Sequence, residues 1–297
     1  MITIIVAAAG LFSYVGFAAQ RAAREYRAAP EEARNFHDAR LRVTSVVDKQ
    51  LSAADLKPYL ETIEDPHVVG AFDNALYVAS WKNKKLFRID VTTNQKRLLA
   101  DELDQVAGVA PAKDKHLVAT LHGENRIVVV DVRSGKVTPL ARDIGGPSGI
   151  TPARDGNYYV AAQEDGTVLK LQPDGKTSVV ARDLPQPVGL ISDNDNIITV
   201  TLKGDPARSV TVIADNGKQS VPVPGLTGAA GIFRDDERNT LLTAQVNGRG
   251  ALIAWPRGRQ ATPILVSDSP ELSGPVSDGR GVYVAAPERN LVYRIEL

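Results

Sequence analysis

Two histidines are the residues of this sequence best suited to acid–base chemistry. His67 lies directly before a Val-Val-Gly step, and His122 lies in a Leu-His-Gly-Glu segment that ends at Glu124. An imidazole titrates near neutral pH, so either histidine could act as a general base, and Glu124 could orient His122. The alternative for each histidine is a loop residue that bonds a neighbouring backbone group. The sequence alone leaves both roles open.

A second group of residues could bind a ligand without transforming it. Trp81 and Lys82 lie in a Ser-Trp-Lys-Asn loop, where an exposed indole would suit a protein contact or a sugar-like ligand. Trp81 could instead pack inside the fold. Gln163, Lys203 and Gln245 recur at equivalent places of a sequence repeat, so they could line a polar channel or form a solvated rim.

The elements that must position these residues belong to a repeat that occurs six times between residue 68 and the C-terminus. Each copy has a step of small residues with a glycine, followed by a strand-like run. Successive glycines are 38, 41, 40, 42 and 43 residues apart, which is the period of a four-stranded propeller blade. The sequence therefore predicts an all-β, six-bladed β-propeller. The six glycines are Gly70, Gly108, Gly149, Gly189, Gly231 and Gly274.

The last repeat is one strand short, because only three strand-like runs precede the end of the chain at Leu297. Residues 57–63 resemble the outermost strands of the other copies. We expect them to close the ring, within a propeller domain at 41–297. Loops that enter the first strand of a blade and loops that leave the second strand share one face. The residues predicted on that face are His67, Ser80, Trp81, Lys82, His122, Glu124, Gln163, Glu164, Lys203 and Gln245.

The N-terminus carries a separate signal. Residues 2–19 contain no charged side chain, which predicts an uncleaved membrane anchor or a signal peptide, with a buried helix as a third alternative. Residues 20–40 are rich in Ala, Arg and Glu, and they predict a helical stalk. Arg21, Arg24 and Arg27 favour a cytoplasmic propeller by the positive-inside rule. Propellers behind a single apolar segment are often extracytoplasmic, and we expect that side.

Composition excludes several classes of function. The chain has 35 basic and 35 acidic residues, so it lacks the concentrated positive charge that nucleic-acid binding needs. It contains no cysteine, which excludes disulfides and thiolate catalysis.

Several segments resemble the NHL-type and gluconolactonase-like six-bladed propellers, a superfamily that includes strictosidine-synthase-like proteins. They are Pro-Ser-Gly-Ile at 147–150, Pro-Val-Gly-Leu at 187–190, and Gly-Glu-Asn-Arg-Ile at 123–127 before a strand that ends at Asp131. The resemblance covers about residues 57–297. It implies the propeller fold, and the superfamily contains lactonases, arylesterases, streptogramin lyases and binding domains.

The metal-dependent hydrolases of that superfamily resemble one another in presenting Glu, Asn and Asp from the inner strands to a divalent ion. None of the matching positions of this sequence holds an acid or an asparagine, so we expect no catalytic metal site and no cofactor. The matching residues are Val68, Val69, Val106, Ala107, Pro147, Ser148, Pro187, Val188, Ala229, Ala230 and Ser273.

Two functional hypotheses follow. The first is a membrane-tethered binding or assembly module, whose partner is a protein, such as a membrane complex, or a small polar ligand. The alternative is a gluconolactonase-like hydrolase or a streptogramin-lyase-like enzyme that acts in the propeller channel. In that alternative His67 or His122 would be the base and Ca²⁺ or Mg²⁺ the cofactor.

Overall fold

Six antiparallel, four-stranded sheets form a β-propeller in the computed structural model. The structure describes residues 56–193, 197–234, 239–256 and 258–296. Residues 1–55, which include the predicted anchor, the predicted stalk and the start of the predicted propeller domain, lie outside the described residues. Among the described residues, no helix is long and apolar enough to cross a membrane.

Each blade places its first strand at the central channel and its fourth strand at the periphery. The first blade contains β2 (Pro66–Phe72), β3 (Ala75–Ser80), β4 (Lys85–Asp90) and β5 (Lys96–Ala100). The second contains β6 (Val106–Pro111), β7 (His116–Leu121), β8 (Arg126–Asp131) and β9 (Val137–Arg142). The third contains β10 (Pro147–Pro152), β11 (Tyr158–Ala162), β12 (Thr167–Leu171) and β13 (Thr177–Ala181).

The remaining three blades repeat this order. The fourth contains β14 (Pro187–Ser192), β15 (Ile198–Leu202), β16 (Val210–Ile213) and β17 (Gln219–Val223). The fifth contains β18 (Ile232–Arg234), β19 (Thr240–Val246), β20 (Arg249–Trp255) and β21 (Thr262–Val266). The sixth contains β22 (Ser273–Ser277), β23 (Gly281–Ala286), β24 (Leu291–Glu296) and β1 (Lys57–Leu60).

The sixth blade is completed by the N-terminal strand β1, as the sequence predicts. Lys57 pairs with Arg294 and Pro58 with Tyr293 in an antiparallel register. Leu56, just before this strand, is buried in the apolar cluster between the fifth and sixth blades. The first and last strands of the described chain therefore share one sheet, and the ring has no open blade.

The six glycines of the repeat lie where successive inner strands approach each other most closely. A Cβ atom added to any of them would lie no more than 3.0 Å from an atom of the next blade. For Gly231 that atom is the carbonyl oxygen of Gly274, and for Gly274 it is a methyl group of Val68 in the first blade. At the first five of these positions glycine is needed because a side chain would separate the blades. Gly274 in addition has a φ of +99°, a backbone conformation that favours glycine.

Apolar packing and buried threonines hold the blades together. In the described part of the chain, six buried apolar clusters each join two successive blades. Three threonine hydroxyls on second strands donate across the blade boundary. Thr120 donates to the Ser148 carbonyl at 2.6 Å. Thr201 donates to the Ala230 carbonyl, and Thr243 donates to the Gly274 carbonyl at 2.9 Å. Apolar contacts and direct hydrogen bonds therefore join the blades around the channel.

Candidate functional site

A cavity of about 530 Å³ occupies the central channel. Its size falls in the range of pockets that bind small molecules. Mostly apolar residues of the inner strands form its walls, with a few serine and threonine side chains among them. The larger polar side chains lie at the end where the inner strands begin, which we call the channel mouth. The side chains that line the mouth are His67, Trp81, His122, Gln163, Lys203 and Glu271.

The mouth is built from two equivalent positions in each repeat. The first position lies three residues before the repeat glycine of each blade. The second position lies at the end of the blade's second strand. The backbone N–H at the second position donates to the loop before the first strand, for example from His122 to Gln105 and from Lys203 to Gln186, both at 3.0 Å. The same bond occurs at Trp81, Gln163 and Gln245, so the predicted equivalence of these positions is present in the structure.

His67 is held flat against Trp81 at the mouth. The two ring centroids are 3.8 Å apart and the rings are within 13° of parallel. The His67 Nε2 atom lies 3.4 Å from a carboxylate oxygen of Asp65, and the residue is only 8% exposed. Stacking and burial together fix the orientation of the imidazole at the edge of the cavity.

Burial lowers the pKa of His67, because the charged imidazolium loses its hydration inside the protein. The carboxylates of Asp65 and Glu271 act in the opposite direction, and the ammonium of Lys203 adds to the effect of burial. The imidazole is therefore neutral at pH 7. These interactions also show that His67, Lys203 and Glu271 share one electrostatic environment.

Trp81 is partly buried against the apolar cluster of the first two blades, and it also lines the cavity. Its indole Nε1–H donates to the carbonyl oxygen of Val106 at 2.8 Å, which links the first blade to the second. Lys82, the next residue, is exposed and its Nζ atom lies 3.4 Å from a carboxylate oxygen of Glu64. The structure thus places Trp81 in the wall of the mouth and Lys82 on the outer rim.

His122 also reaches the mouth, but its predicted partner does not orient it. Its Nδ1 atom lies 3.2 Å from Oε1 of Gln105. Glu124 instead accepts a hydrogen bond from the Asp104 amide at 2.9 Å and another from Arg126 Nε at 2.7 Å. The prediction that Glu124 orients His122 is therefore wrong, because its carboxylate oxygens bind the Asp104 amide before β6 and the Arg126 side chain at the start of β8.

The space that His122 occupies is created by a glycine in the next blade. A Cβ atom on Gly146 would lie 3.0 Å from His122 Nε2 and 2.8 Å from a side-chain carbon of Glu164. Gly146 also has a φ of +55°, a conformation that glycine adopts at low cost. The absence of a side chain here lets His122 extend over the third blade.

The other predicted binding residues divide into two groups. Gln163 and Lys203 line the mouth. Gln245 does not line the cavity, because its Nε2 atom donates to the Pro270 carbonyl at 3.2 Å. Ser80 is buried and donates to the Glu64 carbonyl at 2.5 Å, which is a structural role.

Glu271 is a mouth residue that the sequence analysis missed. It lies in the loop before the sixth blade, three residues before Gly274, as His67 lies three residues before Gly70. The positions that match the metal ligands of the superfamily are the glycine steps themselves, and Glu271 lies outside them. Applied to all six copies, this three-residue offset would have identified Glu271.

Glu271 and Lys203 meet at the mouth although they belong to the sixth and fourth blades. Lys203 Nζ lies 3.9 Å from Glu271 Oε1, and the side chains are 43% and 49% exposed. The fifth blade, which lies between them, has Gly228 at the position that corresponds to Glu271, and the Gln245 side chain packs against this glycine. At this distance the two groups attract each other without forming a hydrogen bond.

The described residues do not fit the metal site of a propeller hydrolase. They contain no group of three or more His, Cys, Asp or Glu side chains placed to hold a metal ion.

Comparisons with known proteins place this fold among well-known propellers. No protein-family model and no curated protein matches the sequence. Among solved structures, the chain is similar to regucalcin, a calcium-binding protein from Agrobacterium tumefaciens, with 14% identity and a TM-score of 0.69. That match covers 83% of this chain and 95% of regucalcin.

The structures of two enzymes are also similar. A gluconolactonase from Xanthomonas campestris matches with 16% identity and a TM-score of 0.68, covering 82% of this chain and 89% of the enzyme. A catalytically inactive histidine-to-alanine variant of virginiamycin B lyase from Staphylococcus aureus, with quinupristin, matches with 14% identity and a TM-score of 0.62. It covers 82% of this chain and 99% of the lyase. At these identities the likenesses establish the six-bladed propeller fold that this chain shares with regucalcin, gluconolactonase and streptogramin-lyase structures.

Proposed function

We propose that this protein binds a small polar ligand at the channel mouth. The observation that carries the proposal is the convergence of hydrogen-bonding side chains from several blades on one cavity with apolar walls. Such a combination of an apolar pocket and a few fixed polar groups is typical of small-molecule sites. Direct hydrogen bonds and apolar contacts between blades form the wall around it, which favours a preformed site.

A thermal-shift screen tests this proposal. A library of small polar metabolites is added to the full chain in detergent, and the melting temperature is recorded. A ligand present at 100 times its Kd stabilises the folded state by about 2.7 kcal/mol, which gives a measurable rise. We expect Gln163→Leu to reduce the rise and Lys176→Met, on an exposed outer hairpin, to leave it unchanged. A library without any stabilising compound, or an equal response of both variants, would contradict the proposal.

A second candidate is hydrolysis or lyase chemistry with His67 as general base. It is supported by a neutral, oriented imidazole at the mouth with a lysine ammonium in its electrostatic environment. Lactones and simple esters are suitable probe substrates. Turnover that is lost in His67→Ala, and that rises with pH as the imidazole loses its proton, would support this candidate. Equal turnover in the variant would remove it.

The membrane tether is a proposal of its own. We propose that residues 2–19 anchor the protein and that the propeller lies on the extracytoplasmic side, where it can also meet a protein partner such as a membrane complex. Carbonate extraction of membranes tests the anchor, because an integral segment keeps the protein in the membrane fraction. Protease digestion of intact cells tests the side. Release by carbonate, or protection of the propeller from protease, would contradict the corresponding part.

A further inference from the structure

The Lys203–Glu271 pair at the mouth is an incomplete ion pair. The described residues provide no hydrogen bond to either side chain, and the two charged atoms are 3.9 Å apart. An ammonium has three donors and a carboxylate can accept about four hydrogen bonds, so both groups retain unused capacity. Both are about half exposed, which keeps their mutual attraction weak.

The geometry of the pair favours a ligand that carries both charges. A ligand with only an ammonium would bind Glu271 but would lie beside the ammonium of Lys203. A ligand with only a carboxylate would meet the corresponding repulsion from Glu271. A ligand with neighbouring ammonium and carboxylate groups can oppose each protein charge with its complement.

The remainder of the cavity fits an apolar body attached to that charged head. The walls below the mouth carry Val69, Ile150, Leu190 and Ile232, one from each of four blades. His67 is neutral at pH 7, so it adds a hydrogen-bonding group without changing the charge balance. We infer that the ligand of the channel mouth is a zwitterion of the apolar α-amino-acid type. This inference rests on the proposed binding function.

Calorimetry with three matched compounds tests the inference on the full chain. L-phenylalanine carries both charges, whereas 2-phenylethylamine and 3-phenylpropanoate each keep the ring and one charge. We expect L-phenylalanine to bind at least about tenfold more tightly than either fragment, because each additional charge-assisted hydrogen bond contributes on that order.

Two charge-removing variants give opposite patterns. Lys203→Met should reduce the affinity for L-phenylalanine to that for 2-phenylethylamine, because Glu271 remains. Glu271→Gln should reduce it to that for 3-phenylpropanoate, because Lys203 remains. The double exchange Lys203→Glu with Glu271→Lys should restore much of the affinity, which separates a charge effect from misfolding. Circular dichroism checks that every variant is folded.

The outcomes separate this inference from the function on which it rests. Equal binding of all three compounds, or no effect of either variant, would overturn the zwitterion inference. Failure of all three, with a metabolite of another class binding at the mouth, would overturn the inference and leave the proposed function standing. If no polar compound binds at all, both fail.

Discussion

At the scale of single residues, the mouth depends on how each side chain is held. His67 is fixed by the Trp81 ring and His122 by Gln105, so the two histidines obtain their orientation by different contacts. Trp81 is itself fixed by a hydrogen bond to the next blade. The imidazole of His67 is thus oriented by a network that includes the packing of the first blade against the second.

The buried imidazole of His67 makes stability depend on pH. The pKa of His67 in the folded state lies below the ordinary value of 6.5. At a pH between these two values, His67 is therefore protonated in the unfolded chain and neutral in the folded chain. Stability should therefore fall as the pH is lowered through 6.5 and stop falling, for this group, below the folded-state pKa. Urea unfolding between pH 5 and pH 8 measures the change.

The variant His67→Phe isolates this contribution, because phenylalanine can stack on Trp81 but does not titrate. We expect the wild type to lose on the order of 1 kcal/mol more than the variant over that pH interval. An identical pH dependence of the two proteins would show that the pKa of His67 is not lowered by folding.

At the scale of elements, the glycine step combines two tasks. It lets neighbouring inner strands approach, and three residues earlier in the chain it positions the residue that faces the mouth. The sequence shows the first task through its spacing, and from it the blade count and the closing strand at Lys57–Leu60 could be predicted. The second task is harder to predict from sequence, because His67 and Glu271 differ chemically although each lies three residues before a repeat glycine.

Replacing Gly231 with alanine should disrupt the contact between the fifth and sixth blades. The added Cβ would overlap the carbonyl oxygen of Gly274, and backbone cannot move away as easily as a side chain. We expect a loss of about 3 kcal/mol or more in the free energy of unfolding, as for severe overpacking in a core. Chemical denaturation of the variant provides the measurement.

Gly156→Ala is the matched control for this substitution. Gly156 has a φ of +82° and no atom within 4 Å of the added Cβ, so only backbone strain opposes the change. Strain of this kind costs about 1–2 kcal/mol. A loss at Gly231 no larger than that at Gly156 would contradict the close approach of the blades.

At the scale of the whole molecule, ring closure explains why distant residues form one site. Lys203 and Glu271 come together because the fourth, fifth and sixth blades curve around the channel. This pairing could not be predicted from local sequence, because it depends on how three blades are arranged around the channel and on the length of the lysine side chain. The predicted Glu124–His122 pair does not form, because Arg126, only two residues away in the chain, binds the Glu124 carboxylate.

The closing strand can be tested by truncation. Removal of residues 1–55 keeps Leu56 and β1, so the remaining chain should unfold in one cooperative transition. Removal of residues 1–62 exposes the edge of β24 and removes Leu56 from its buried cluster. We expect that longer truncation to melt at a lower temperature and to aggregate, because an open sheet edge pairs with other chains. Equal melting of both truncations would contradict closure by β1.

The central claim, that the channel mouth is a ligand site, is tested most directly by NMR of the histidine rings. The chain has four histidines, of which His67 and His122 line the mouth, whereas His116 lies at the start of β7 and bonds within its own turn. A polar ligand that stabilises the protein should shift the imidazole signals of His67 and His122 and leave those of His116 unchanged. Unchanged mouth signals in the presence of a stabilising ligand would contradict the claim.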